Sequence, residues 1–185
     1  MTEGRRGAQD LSAPDRPQHS RLVVVPCGSR KRDTPVPVPA GDLYAGSYHR
    51  ACRRAADALT GALGAGGRVL ILSARHGLLE LHHPVATYDL RAGRAGTVGA
   101  VALCAQADAL GVTGAHAVVL AGRAYAELAR LVWPDACLPL AGTRGIGEQM
   151  SRLAAIRAAA ICPAGVHRLG EGAGENGCCR RAETS

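Results

Sequence analysis

Cys27 and Lys31 stand four residues apart in PCGSRKRD, with Gly28, Ser29, Arg30 and Arg32 beside them. Cations near a thiol favour its thiolate, the form that attacks electrophiles, so this spacing suits a nucleophilic cysteine. The same Gly-Ser-Arg-Lys turn could instead cradle a phosphate through backbone N–H groups and charge, although the G-x-x-x-x-G-K-[ST] spacing of a P-loop is absent. A third reading is a small residue closing a strand among solvated basic neighbours. Lys31 is the one lysine in a chain with 22 basic residues. Its compact ammonium can lose a proton when desolvated, which a guanidinium cannot, so Lys31 marks either a place where that difference counts or a chance survivor of an arginine-rich composition.

A second set of reactive residues lies in LSARHGLLELHHPVATYDLR. Ser73, Arg75 and His76 close an apolar run, Gly77 permits a sharp turn, and Tyr88 with Asp89 follows further on. A histidine near a carboxylate and a cysteine can move protons. His82 and His83 beside Pro84 could join His76 around a metal, but no cysteine or clear acidic set accompanies them, so they read as exposed loop residues and no metal is expected.

Two further stretches offer binding groups. In DLYAGSYHR, Ser47 suits an N-cap whose helix would present free N–H donors to an anion; Tyr44, Tyr48 and His49 crowd the same turn, and the two tyrosines suggest a stacking surface for a base, with one of them expected in the core. His49 alone is more often a surface or satisfied residue than a catalytic one. In AGTRGIGEQ, Gly145 and Gly147 are spaced for close backbone approach and Gln149 could read a base edge, without the full G-x-G-x-x-G fingerprint. Gly122 and Arg123 open the remaining candidate loop, AGRAYAE.

Four short apolar runs precede these loops: RLVVVPC (21–27), RVLILSA (68–74), AHAVVLAG (115–122) and ACLPLAG (136–142). Each is continuous rather than alternating, as strands covered on both faces are. Between them, SYHRACRRAADALTGAL sets Tyr48, Cys52, Ala55, Ala56, Leu59 and Leu63 at helical spacing, with Arg50, Arg53 and Arg54 off that stripe. Further helices are expected near 96–110, 123–131 and 146–160. Alternating strands and helices predict an α/β domain, a Rossmann-like three-layer sandwich with a mostly parallel sheet of four to five strands. In such folds ligands bind at the carboxyl ends of the strands, which is where all four loops fall.

Length fits a single α/β domain over residues 21–162, with a polar tail over 1–20 and a Gly-rich tail over 163–185, both expected to be disordered. Each tail holds three arginines against three acidic residues, whereas residues 21–94 hold eleven basic against five acidic side chains. The excess of the +7 net charge thus lies in the folded part, which suits a nucleotide, nucleoside or nucleic-acid partner. Seven cysteines, odd in number and without paired metal spacing, predict a reduced, cytoplasmic protein. No signal segment or membrane span is expected, no cofactor is implied, and the role of Cys178 and Cys179 is open.

In its motif order CGSRK, DLYAGSYHR, LSARHGLL, TYDLR, the chain resembles a group of small uncharacterised bacterial and phage proteins over about residues 22–160. PCGSRK is also similar to the P-C-x-x-x-K motif in the core domain of archaeosine synthase, which turns a cyano-deazaguanine base in tRNA into an amidine. That resemblance implies that Cys27 and Lys31 occupy catalytic positions and that Tyr44, Ser47 and His49 match a Y-x-x-S-x-x-H element. The chain departs from it in a longer connector before Tyr44 and a shorter Ser-to-His spacing. A peroxide-stress family associated with DNA binding shares the same strand-end pattern.

The expected activity is nucleobase or nucleotide modification on a deazaguanine-type or other nucleoside substrate. Cys27 would be the nucleophile, Lys31 and Arg75 would hold an anionic group, His76 or Asp89 would move protons, and Tyr44 or Tyr88 would stack on a base. The alternatives are a non-catalytic nucleic-acid-binding protein that uses the basic face around Arg50, Arg53 and Arg54, and a purely structural or partner-binding domain.

Overall fold

The computed structural model describes residues 21–62 and 67–161; the expectations for both tails, Leu63, Cys162, Cys178 and Cys179 lie outside the described residues. β1 (Arg21–Pro26) is the spine of the sheet. It pairs in parallel with β3 (Gly67–Ser73) on one side and with β6 (His116–Val119) on the other. The antiparallel edge strand β4 (Gly77–Glu80) completes the order β4-β3-β1-β6. A two-stranded ribbon joins β2 (Val38–Pro39) to β5 (Pro84–Val85).

The unbroken apolar character of β1 has a direct cause. Leu22 and Val24 pack with Leu70, Leu72, Leu103, Leu128 and Trp133, while Val23 and Val25 pack with Ile71, Cys52, Ala55, Leu153 and Ile156. Alternate side chains therefore enter two separate cores, and each fully buried Val or Leu contributes about 1.5–3 kcal/mol. α3 (Ala100–Ala109) and α4 (Arg123–Arg130) supply the first core; α2 (Ser47–Ala62) and α5 (Ile146–Ile161) supply the second. Cys52, Ala55 and Ala56 are the small buried residues of α2, which let that helix lie close to the sheet. α1 (Ala40–Leu43), the fifth helix, is a single turn after β2. The protein is thus a mixed α/β fold around a four-stranded, mostly parallel sheet.

Three expectations need correction. The run 136–142 is not a strand: only Cys137 pairs, by a single parallel bridge to Val118. Pro139, two residues on, lacks the N–H that a further rung would need. The segment GLLE, read as loop, is instead β4. Its start depends on Gly77, whose φ of +75° few other residues adopt, and on Gln106, which accepts from the Leu78 N–H (2.8 Å) and donates to the His76 carbonyl (2.8 Å). Finally, Ser47 is the first residue of α2, and Gly46 takes the cap position, its carbonyl accepting from the Arg50 N–H at 3.0 Å.

Among the described residues, no helix is long and apolar enough to cross a membrane.

Candidate functional site

The β1–β3 ladder runs one residue past the strands, with the Cys27 N–H donating to the Leu72 carbonyl at 2.9 Å. Cys27 is therefore held beside Ser73 at the carboxyl edge of the sheet. Beyond it the chain turns back along the residues before α2. Arg32 N–H donates to the Leu43 carbonyl (2.8 Å), Ala45 N–H donates to the Arg30 carbonyl (2.9 Å), and Lys31 bridges Tyr44. His49 fixes the start of this turn from α2. Its Nδ1–H donates to the Pro26 carbonyl at 2.7 Å, which leaves Nε2 as a buried acceptor with no partner among the described residues. Burial pushes the His49 pKa below its ordinary value, so the ring is neutral. His49 is only 2% exposed and serves the Cys27 turn from inside, rather than meeting a ligand at the surface.

Three of the four tyrosines converge on the sulfur. The Tyr125 hydroxyl, from α4, lies 2.9 Å from Cys27 Sγ. The Tyr88 hydroxyl lies 3.0 Å from that of Tyr44 and 2.7 Å from Ser73 Oγ. Ser73 is fully buried and already accepts the N–H groups of Arg75 (3.2 Å) and His76 (3.0 Å), so its own proton points to Tyr88. Burial raises all three phenol pKa values. It takes Tyr44 up to about 12, and the electrostatic presence of Cys27 adds to the rise at Tyr88 and Tyr125. Each phenol thus stays protonated at neutral pH and acts as a hydrogen-bond donor.

Charge is placed around this cluster. Lys31 Nζ stands 4.1 Å from the Tyr88 ring centroid, a cation–π contact, and 5.9 Å from that of Tyr44. Burial lowers the Lys31 pKa, Cys27 and Asp89 pull it back up, and Arg91 opposes them. Lys31 thus occupies a half-buried position over an aromatic face. His76 meets the Tyr88 ring edge-on at 5.0 Å, and burial, Arg75 and His83 together lower its pKa, so it is a neutral imidazole able to accept a proton.

A cleft of about 270 Å³ opens beside the sulfur, lined by Cys27, Gly28, Ser29, Leu90, Arg91, Ala92, Ala124 and Tyr125. Ligand pockets usually span roughly 300–1,000 Å³, so this one suits a single ring better than a whole nucleotide. Tyr125 and Arg91 were not singled out from the sequence. The signals available were a tyrosine in the first turn of the helix that follows a strand end, and an arginine closing TYDLR.

The expected site residues divide accordingly. Cys27, Lys31, Tyr44, Ser73, His76 and Tyr88 form one connected cluster, with Asp89 exposed but acting electrostatically on Lys31 and Ser29 on the cleft wall. Arg30 and Arg75 are exposed at its rim, and Ser47 is exposed at the start of α2. Tyr44 cannot stack on a base as expected: it is 3% exposed, and the His49 ring lies 5.1 Å from its own. Gly122 caps α4 one residue before Arg123, and Gln149 lies against it while donating to Thr143 Oγ1 at 3.1 Å. Gly145 and Gly147 face open space, with nothing among the described residues within 4 Å of an added Cβ apart from chain neighbours and the helix's own backbone, so the expected close approach is not made within them. Among the described residues, no three His, Cys, Asp or Glu side chains gather as a metal set, and His82 instead contacts Glu80 at 3.3 Å.

Residues 22–155 match the model of a protein family of unknown function, DUF6884, and the chain belongs to that family. No curated protein and no solved structure matches the chain.

Proposed function

We propose that the protein modifies nucleobases or nucleotides, with Cys27 as its nucleophile and a deazaguanine-type or other nucleoside as its substrate. The observation that carries this reading is the meeting, in one ring-sized cleft, of a cysteine sulfur, a phenol donor and an arginine, with a half-buried lysine close by. The sulfur adds to an electrophilic ring or substituent carbon, and the displaced electron pair moves to the adjoining nitrogen. That nitrogen takes up a proton, relayed by His76 or by water near Asp89. Arg91 joins Lys31 as the cation for an anionic group, a role expected of the rim residue Arg75. The arrangement of helices on both sheet faces fits a Rossmann-like three-layer sandwich, for which the carboxyl edge is the expected ligand position. Cys27, Cys52, Cys104 and Cys137 are thiols rather than disulfide halves, which suits a reducing, cytoplasmic setting.

The resemblance to the peroxide-stress family, associated with DNA binding, belongs to the rival reading below, whereas the distant resemblance to archaeosine synthase points to the same substrate chemistry. Incubating the protein with nucleosides, nucleotides, deazaguanine bases and short RNA and DNA strands, then following the bases by mass spectrometry, tests it. A mass change in one base that requires Cys27 supports the reading; unchanged bases across the set, with no ligand raising the melting temperature, overturn it.

One observation favours a second reading, nucleic-acid binding without turnover. Arg30, Arg32, Arg75, Arg91, Arg94 and Arg123 are all exposed, and none is in an ion pair among the described residues. On α2, Arg50 and Arg54 are likewise exposed, whereas Arg53 is held by Asp57 at 2.7 Å. Binding of this kind weakens steeply with salt through counterion release, while a ligand seated in the cleft responds less.

A further inference from the structure

We infer that Tyr125 is a catalytic residue: its hydroxyl is the hydrogen-bond donor that holds Cys27 as a thiolate. The inference rests on the nucleophile reading of Cys27 and deepens it, because nothing in the motifs around Cys27 names a partner for the sulfur. The Tyr125 hydroxyl stands 2.9 Å from Sγ, and Tyr88 also interacts with that sulfur. Burial keeps the Tyr125 phenol protonated, so its proton is available for the bond to the sulfur.

The position of the hydroxyl is set by the fold rather than by the bond it makes. The Tyr125 ring packs against both hydrophobic cores, at the edge where the two meet across the sheet. Its backbone N–H is tied to the Gly122 carbonyl at 3.1 Å in the first turn of α4. Hydroxyl and sulfur line the same cleft, so the donor is already in place when an electrophile arrives. The Tyr88 hydroxyl is shared among Tyr44, Ser73 and the sulfur, whereas the side-chain hydrogen bond of Tyr125 is to Sγ.

The test is the rate of Cys27 alkylation by iodoacetamide, resolved by mass, at pH 7 and pH 10. The ratio of the two rates cancels access to the cleft. Phe in place of Tyr125 keeps the ring between the cores and removes only the donor; Met fills the same space without one. Loss of a hydrogen bond to a charged group costs about 1.5–3 kcal/mol, and because a thiol held as thiolate is already close to fully ionised at pH 7, the ratio should fall several-fold in both Tyr125→Phe and Tyr125→Met, with Tyr125→Phe keeping the fold. A high ratio in the native protein that neither variant changes overturns the role of Tyr125 and leaves the nucleophile standing. A native ratio no higher than that of free cysteine, equal in all three proteins, overturns the nucleophile as well.

Discussion

The loop after β1 and the loop before α5 both bring glycines and basic residues towards the carboxyl edge of the sheet, but they are tied down differently. The first is held by partners far along the chain: Cys27 to Tyr125, 98 residues away, the Pro26 carbonyl to His49, 23 away, and Lys31 over Tyr88. The second is held by its own neighbours. Thr143 Oγ1 donates to the Leu140 carbonyl (2.8 Å) and accepts from Gln149 (3.1 Å), and Arg144 N–H donates to Glu148 (2.9 Å). A loop tied to the helix it leads into can shift with that helix, whereas one tied to three distant segments cannot move without breaking the core. The first loop is therefore the rigid one of the pair, which is what the proposed site at Cys27 requires.

The largest effect that would sharpen this contrast is on turnover. Cys27→Ala should abolish base modification, and Lys31→Arg should reduce it about a hundredfold, because a guanidinium cannot take the compact place over the Tyr88 ring. A Lys31→Arg enzyme with full activity would place the lone lysine among chance survivors. Next comes stability. Tyr88→Phe strands the buried Ser73 and Tyr44 hydroxyls and should cost about 2–3 kcal/mol in urea unfolding. Thr143→Val, in the second loop, should cost less than about 1 kcal/mol. Equal costs would erase the distinction between the loops.

The glycines give a smaller and independent comparison. At Gly77 an added Cβ meets both a positive φ and the Gln106 amide, so Gly77→Ala should destabilise by about 1–3 kcal/mol. Gly145→Ala, in open space, should stay within about 0.5 kcal/mol of the native protein. Thermal melts of the two variants check this directly.

The smallest effect is the pH dependence from His49. Its folded pKa lies below the ordinary 6.5, so the folded state binds fewer protons than the unfolded chain. The stability is complete above pH 6.5 and is lost as pH falls below it, by at most about 1.4 kcal/mol per pH unit. His49→Asn, which can still donate to the Pro26 carbonyl, should flatten the melting temperature between pH 7 and pH 5. His76, also depressed, adds to the slope in the same direction and would remain in that variant.

Much of the frame was legible in the sequence because burial on both faces leaves a plain trace. β1 and β3 read as continuous apolar runs, and α2 as an apolar stripe from Tyr48 to Leu59 with arginines off it, since each meets a core. What stayed hidden depended on contacts between distant segments. GLLE pairs as β4 only because Gly77 and Gln106 shape the turn before it, and ACLPLAG, with a strand's composition, is cut to one bridge by Pro139. The site followed the same rule. Cys27, Lys31, Ser73, His76 and Tyr88 stood out as types at strand ends, but Tyr125, far along the chain, had no local signal tying it to the sulfur. The stacking role expected of Tyr44 failed because pattern alone cannot tell a core tyrosine from a ligand platform.

The central claim is that the cleft at Cys27 is a binding site for a nucleobase or nucleotide. Mass-resolved alkylation of Cys27 in the presence of each member of a panel of nucleotides and deazaguanine bases tests it most directly, with the other described cysteines, Cys52, Cys104 and Cys137, as internal references. The account predicts that one class of ligand slows labelling of Cys27 alone and that Lys31→Ala weakens this protection. Labelling of Cys27 at the same rate with and without every ligand would contradict it.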